Sequence, residues 1–322
     1  MVTVLVVDLV GAAPGRRVVL LWTVLAVLVV SACGAAPPVP RPLPPSRPAP
    51  AQPAPVTTAP TVSDDPVVLA RQIADAHAAV ADPARSAAEV AAAGRVVQVA
   101  VEELAFHPER LAPVLAALPA PVAGVTDRVV GAGRDLLAMA RRSPGDELPA
   151  WRIVDPLPPA QLRAIYAEAQ ERFGVPWTVL AAVNLVESRM GRIASNSEAG
   201  ARGPMQFLPA TWETYGLGGD IGIPHDAILG AANYLRANGA GDGTDAGVDR
   251  ALFRYNGDRR YVRAVRAYAG VMQADERAFL GFHAWVVYFR TTSGRVLLPT
   301  GYDEPQAILA VDYLARPGVG GR

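Results

Sequence analysis

Residues 175–186 form a nearly unbroken apolar run, Val175-Pro176-Trp177-Thr178-Val179-Leu180-Ala181-Ala182-Val183-Asn184-Leu185-Val186, and the residue that closes it is Glu187. A helix that is apolar on nearly all sides has no face to give to water, so it belongs at the centre of a helical core. A carboxyl group at the end of such a helix loses solvation, which disfavours its charged form and raises its pKa. That is what a general acid working near neutral pH requires. Taken alone, a helix-end Glu more often turns out to solvent. The surrounding residues reverse that expectation. The string continues Glu187-Ser188-Arg189-Met190, and a Gly- and Ala-rich turn then leads to Gly203-Pro204-Met205-Gln206-Phe207.

At 322 residues the chain can hold one or two domains with a real core. Its formal net charge is zero, which gives no support to nucleic acid or an acidic polymer as partner. His77, His107, His225 and His283 lack metal-ligand spacing, so neither a metal nor another cofactor is expected.

Residues 1–33 are expected to be a targeting segment. Arg16-Arg17 precede the apolar stretch 18–30, which has the length of a signal-peptide core and falls short of the roughly 20 residues a bilayer span needs. Val30-Ser31-Ala32-Cys33-Gly34 follows and resembles the lipobox of bacterial lipoproteins, whose Cys is lipidated after cleavage. Cys33 is the sole cysteine and cannot form an internal disulfide. The expectation is a membrane anchored through Cys33, with an uncleaved signal anchor as the alternative. Asp8 and a second apolar patch sit oddly within residues 1–15 and suggest a start of translation downstream at a non-Met codon.

Residues 34–63 contain eleven prolines and read as a disordered tether that favours polyproline II. Thirty such residues reach at most roughly 90 Å, enough to lift a domain off a membrane. Residues 64–145 read as an Ala-rich helical region of unknown role. Asp65-Pro66 and Asp82-Pro83 each look like an N-cap followed by Pro at the first helical position, and 96–106 and 129–139 keep helical spacing. Ser143-Pro144-Gly145-Asp146 marks a boundary. The next domain, 156–290, is predicted to open with a helix from Pro159 closed by Gly174, followed by the apolar one from Pro176. Further helices are predicted over 226–238, 248–255 and 259–272. Segments 284–290 and 295–298 flank Thr291-Thr292-Ser293-Gly294 as a β-hairpin at the head of a C-terminal tail, 284–322.

Four pieces then line up: Glu187-Ser188; Ser197-Glu198-Ala199-Gly200-Ala201-Arg202-Gly203-Pro204-Met205-Gln206-Phe207-Leu208-Pro209-Ala210-Thr211-Trp212; Ala231-Ala232-Asn233-Tyr234-Leu235; and Tyr255-Asn256 followed by Tyr261-Val262. Over residues 156–275 this resembles the catalytic domain of bacterial lytic transglycosylases. Glu-Ser alone is worthless as a signal; joined to the long second string it is specific. The resemblance implies a mainly α, lysozyme-like helical catalytic domain, here preceded by an Ala-rich helical region and followed by a short β-hairpin. Members with an Asp-Gly-Asp-Gly calcium-like loop differ. Gly218-Gly219-Asp220-Ile221-Gly222 offers too few oxygen ligands, so bound calcium is not expected.

Carried over by position, the resemblance implies that Glu187 protonates the glycosidic oxygen and then acts as base. Ser197 and Gln206 would hydrogen-bond the sugar or its acetamido group. Tyr255 and Asn256 would hold the ring and the Glu187 carboxyl. Ser188 either orients that carboxyl or is a helix-end Ser with no special task. Gly203 is most simply a backbone hinge, and Met205 and Phe207 are core positions before they are ligand contacts. Trp212 is either a sugar platform or a packing residue. Glu198, Glu213, Asp220 and Asp258 have no clear claim as a second carboxylate. The family's substrate is peptidoglycan glycan strands, cut at the MurNAc–GlcNAc β-1,4 bond to leave 1,6-anhydro-MurNAc on the extracytoplasmic face of the membrane. A hydrolytic muramidase on the same fold and a non-catalytic wall-binding lipoprotein are the alternatives.

Overall fold

A computed structural model of the protein describes residues 58–139, 145–317 and 319. The targeting segment, Cys33, most of the Pro-rich stretch and Ser143-Pro144 lie outside them. Among the described residues, twelve α-helices and two small antiparallel sheets give the mainly α architecture expected of a lysozyme-like domain.

Four helices come first: α1 (Pro66–Ala81), α2 (Ala87–Phe106), α3 (Pro108–Ala117) and α4 (Ala120–Met139). Asp65 caps α1 as expected, its Oδ1 accepting the N–H groups of Val67 and Val68 at 2.9 Å. Asp82-Pro83 does not start a helix. Asp82 ends α1, and its carboxylate accepts the Ala84 N–H at 2.8 Å to hold a turn. The start of α2 belongs to Ser86, whose Oγ accepts from the Glu89 N–H while the Glu89 carboxylate accepts from the Ser86 N–H. That reciprocal cap satisfies two backbone donors at once and sets the helix start at Ser86.

The strand β1 (Glu147–Leu148) leads to α5 (Pro159–Phe173), which Gly174 closes at φ 70° as its sequence position predicts. Next comes α6 (Trp177–Ser188), in which all residues are buried. Around it run α7 (Pro209–Tyr215), α8 (Pro224–Ala237), α9 (Asp245–Asn256), α10 (Arg259–Ala274) and α11 (Ala278–His283). The apolar faces of α5 and α10 cover α6, burying Leu162, Tyr166, Tyr261 and Val265. One apolar core runs without a break from α1–α4 through α5–α11. At Gly94 on α2, an added Cβ would stand 2.5 Å from the Gly281 carbonyl oxygen, so the close approach of α2 to α11 requires glycine there.

The hairpin forms from β2 (Val287–Thr291) and β3 (Gly294–Leu298), with Val287 opposite Leu298. After it, β4 (Ile308–Leu309) pairs with β1, and α12 (Ala310–Leu314) ends the described fold. These pieces enclose a second small core that includes Leu148, Ile153, Ile193, Leu298 and Tyr313. Through it the segment before α5 braces the loop after α6: the Val154 N–H donates to the Arg192 carbonyl at 2.9 Å, and the Ala194 N–H to that of Arg152 at 3.0 Å.

Candidate active site

The acid sits in the last turn of α6. Glu187 is 5% exposed, and Tyr261 of α10 donates its hydroxyl to Glu187 Oε1 at 2.7 Å. Burial is the larger influence and pushes the Glu187 pKa up to about 8; the Tyr261 hydrogen bond, which favours the ionised form, pulls the other way. At pH 7 such a group is about nine-tenths protonated. Burial also holds the phenols of Tyr255 and Tyr261 well above their ordinary range, so both remain donors. Among the described residues the other buried carboxylate is Glu102, which faces Gln98 and Arg295. Asp258 is paired to Arg260 at 2.6 Å, and Asp220 accepts from the Gly222 N–H at 2.8 Å.

Ser188 is a clasp. Its Oγ donates to the Pro204 carbonyl and accepts the Gly191 N–H at 3.0 Å. Asn184, the one amide in the apolar run, donates to the same Pro204 carbonyl at 2.8 Å and accepts the Tyr166 hydroxyl at 2.6 Å. These bonds seat the turn 203–206 beside the end of α6. Arg202 and Phe207 close that turn with paired backbone bonds of 2.8 and 2.9 Å. Within it Gly203 takes φ 72° and Gln206 φ 50°. The Gln206 amide donates to the Gly203 carbonyl at 2.9 Å, and its buried Oε1 meets no donor among the described residues. Met205 is fully buried, and its carbonyl accepts the Tyr255 hydroxyl at 2.6 Å.

The residue that bonds Glu187 is therefore Tyr261, one helix later than the expected Tyr255 and Asn256. Tyr255 holds the Met205 carbonyl, while its ring stacks nearly parallel on that of Tyr261 at 6.3 Å. Tyr261 stands in the fourth sequence string but carries no role there; its signal is a phenol on the buried face of an otherwise Arg-rich helix. Asn256, 5% exposed at the end of α9, keeps a buried Oδ1 that meets no donor among the described residues. Ser197 is committed locally, its Oγ accepting the Ala201 N–H at 2.9 Å. Trp212 packs on Phe207 with ring centroids 5.3 Å apart, and over Gly216 and Gly230, where an added Cβ would meet its ring within 2.6 Å.

A protonated carboxyl under a tyrosine is an arrangement that can protonate an ether oxygen and accept the proton back. Residues 164–278 match the family described as Transglycosylase SLT domain. This SLT segment contains Glu187, the turn 203–206, Asn256 and Tyr261. Residues of this chain are also 29% identical, over 145 residues, to a protein of Thiobacillus denitrificans described as membrane-bound lytic murein transglycosylase F. That similarity covers 44% of this chain and 30% of the relative, so the chain spans less than a third of the length of the curated protein it matches. No solved structure matches the chain significantly.

Proposed function

We propose that the protein is a peptidoglycan lytic transglycosylase in which Glu187 is the sole acid and base. The observation that carries this reading is the buried Glu187 carboxyl, pushed up to about 8 and held by Tyr261 within the SLT segment. Ordinary glycosidases use two carboxylates, whereas substrate-assisted ones draw part of the machinery from the sugar. The 2-acetamido oxygen of MurNAc stabilises the oxocarbenium-like centre once Glu187 has protonated the leaving GlcNAc oxygen. Glu187, now ionised, takes the proton of the same sugar's C6 hydroxyl, which attacks C1 and closes the 1,6-anhydro ring. An intramolecular nucleophile has a high effective molarity and outruns water in a closed groove. Gln206 and Asn256 each keep a buried oxygen that meets no donor among the described residues, and these would accept sugar N–H and O–H groups. Ser197 acts through the turn it closes.

Mass spectrometry of products from purified sacculi tests the reading. Anhydro-muropeptides are expected. Products heavier by one water would make the protein a muramidase, and binding without cleavage would make it a wall scaffold.

Tyr261→Phe should move the pH profile upward. The lost hydrogen bond favours the ionised form by about 1.5–3 kcal/mol, which raises the Glu187 pKa further by about 1–2 units. The alkaline limb of kcat should shift up accordingly while kcat itself falls. An unmoved limb would separate Tyr261 from the acid.

The lipobox completes the proposal: lipidation at Cys33 and the Pro-rich tether would place the SLT segment on the outer face of the membrane, within reach of the wall. Among the described residues no helix is long and apolar enough to cross a membrane. Cys33→Ser should shift the protein from the membrane fraction to the soluble one; unchanged fractionation would favour an uncleaved anchor.

A further inference from the structure

Two consecutive non-glycine residues, Arg189 at φ 55° and Met190 at φ 60°, are left-handed immediately after Glu187-Ser188. This conformation disfavours residues with a Cβ, and it persists only where the surroundings over-determine it. Part of the constraint is backbone: the N–H groups of Arg189 and Met190 donate to the Leu185 and Asn184 carbonyls at 3.1 and 3.0 Å, ending α6 in a closed turn. The rest comes from the Arg189 side chain. The residue is only 7% exposed, and its guanidinium carbon lies 5.3 Å from the centre of the Trp285 ring. Burial pulls the guanidinium pKa down, while the Tyr268 hydroxyl of α10 and the Glu102 carboxylate of α2 support its charge.

Glu102 is fixed in turn. It accepts the Gln98 amide at 3.1 Å and pairs with Arg295 of β3 at 3.4 Å. Gln98, fully buried, bonds both the N–H and the C=O of Val286 at 2.8 Å. Arg192 adds two bonds of 3.0 Å, to the carbonyls of Trp285 and His283. A buried cation is expensive to keep, and an apolar side chain would fill such a site at lower cost. Its place one turn-end away from Glu187 gives the expense a purpose.

We propose that Arg189 is a positioning residue for Glu187, anchored by Trp285, whose neighbour Val286 is held from α2 by Gln98 and, behind it, Glu102, so that α2 belongs to the cleaving unit. The inference rests on the transglycosylase reading for its activity arm. Glu102→Gln and Arg189→Met should each lower kcat on soluble glycan strands about 10- to 100-fold through misplacement of the acid, with KM within about twofold. The double variant should be no slower than the slower single, because both changes break one coupling. Arg189→Lys keeps the charge but loses the planar stack, and should fall between wild type and Arg189→Met. Glu102→Gln keeps the side-chain volume and carries the test if Arg189→Met does not fold.

A second readout needs no turnover. The Glu187 carboxyl carbon, followed by NMR, should titrate with a midpoint displaced by about half a unit or more in both single variants. The titratable groups facing Glu187 itself, Tyr261 and Tyr255, are unchanged in them. Unchanged kcat and midpoint, additive losses, or a rise in KM alone would overturn the inference. A wild type that cleaves nothing while both midpoints move would leave Arg189 in its role and remove the cleavage reading.

Discussion

Glu187→Gln is expected to abolish release of muropeptides from sacculi, by about a thousandfold or more, because in the proposed mechanism one group supplies both the general acid and the general base, each worth roughly 10²–10⁴-fold. The fold should survive. At neutral pH the native carboxyl is mostly protonated, and Gln is close in shape and charge to that neutral form. The stability signature has a definite sign. A folded pKa of about 8 lies above the unfolded value of 4.5, so between these the native state binds more protons than the unfolded chain. The unfolding free energy contributed by this group is then complete below pH 4.5 and is lost as pH rises through 8. The loss is at most roughly 5 kcal/mol at high pH. Glu187→Gln removes that slope, so the variant should gain on wild type in Tm between pH 5 and pH 9. Retained muropeptide release, or parallel Tm curves, would contradict a buried catalytic acid.

Gly203→Ala should have the largest effect on stability of any single methyl addition around the site. Gly203 is left-handed, and an added Cβ would stand 1.8 Å from the Ile221 carbonyl oxygen, a backbone atom that cannot rotate away. Relief requires moving one of two loops. Moving the 203–206 turn disturbs the Pro204 carbonyl held by Ser188 and Asn184, the Met205 carbonyl held by Tyr255, and the Gln206 amide. A cost of about 3 kcal/mol or more is expected, with activity lost alongside. Gly200→Ala is the control. Gly200 is also left-handed, but nothing lies within 4 Å of its added Cβ, so only the conformational penalty of about 1 kcal/mol applies. Urea denaturation of the two variants gives the comparison. Equal costs would mean that the Ile221 contact yields freely.

Much of the fold was legible because it is written in local chemistry. The fifteen-residue helix from Pro159 shows its start and its apolar stripe, and Gly174 directly after it is the left-handed stop. The apolar run announced a central helix, and α6 is buried along its whole length. Other elements were not legible. At Asp82 a local signal misled: Asp82 ends α1, and the helix that follows starts at the Ser86–Glu89 box four residues on. The strands β1 and β4 are two residues each and lie about half the chain apart, so neither has a pattern of its own. Short α7 and α11 gain their stability from the core they cover, and propensity over so few residues is a weak guide.

The site divides along the same line. From sequence alone came the candidate, Glu187, its apolar setting and hence the direction of its pKa, since a nearly unbroken apolar run of twelve residues fixes desolvation wherever the helix packs. Tertiary structure decided which group bonds the acid. Tyr255, half-buried, and Tyr261, fully buried, are phenols close in sequence, and only the crossing of α10 over α6 brings the second to 2.7 Å from Glu187 and leaves the first to hold Met205. It also decided that α2 reaches the segment after α11, where Gln98 binds both backbone groups of Val286. Desolvation is a property of a stretch of chain; a hydrogen bond between residues 74 apart depends on angles between helices that no local pattern encodes.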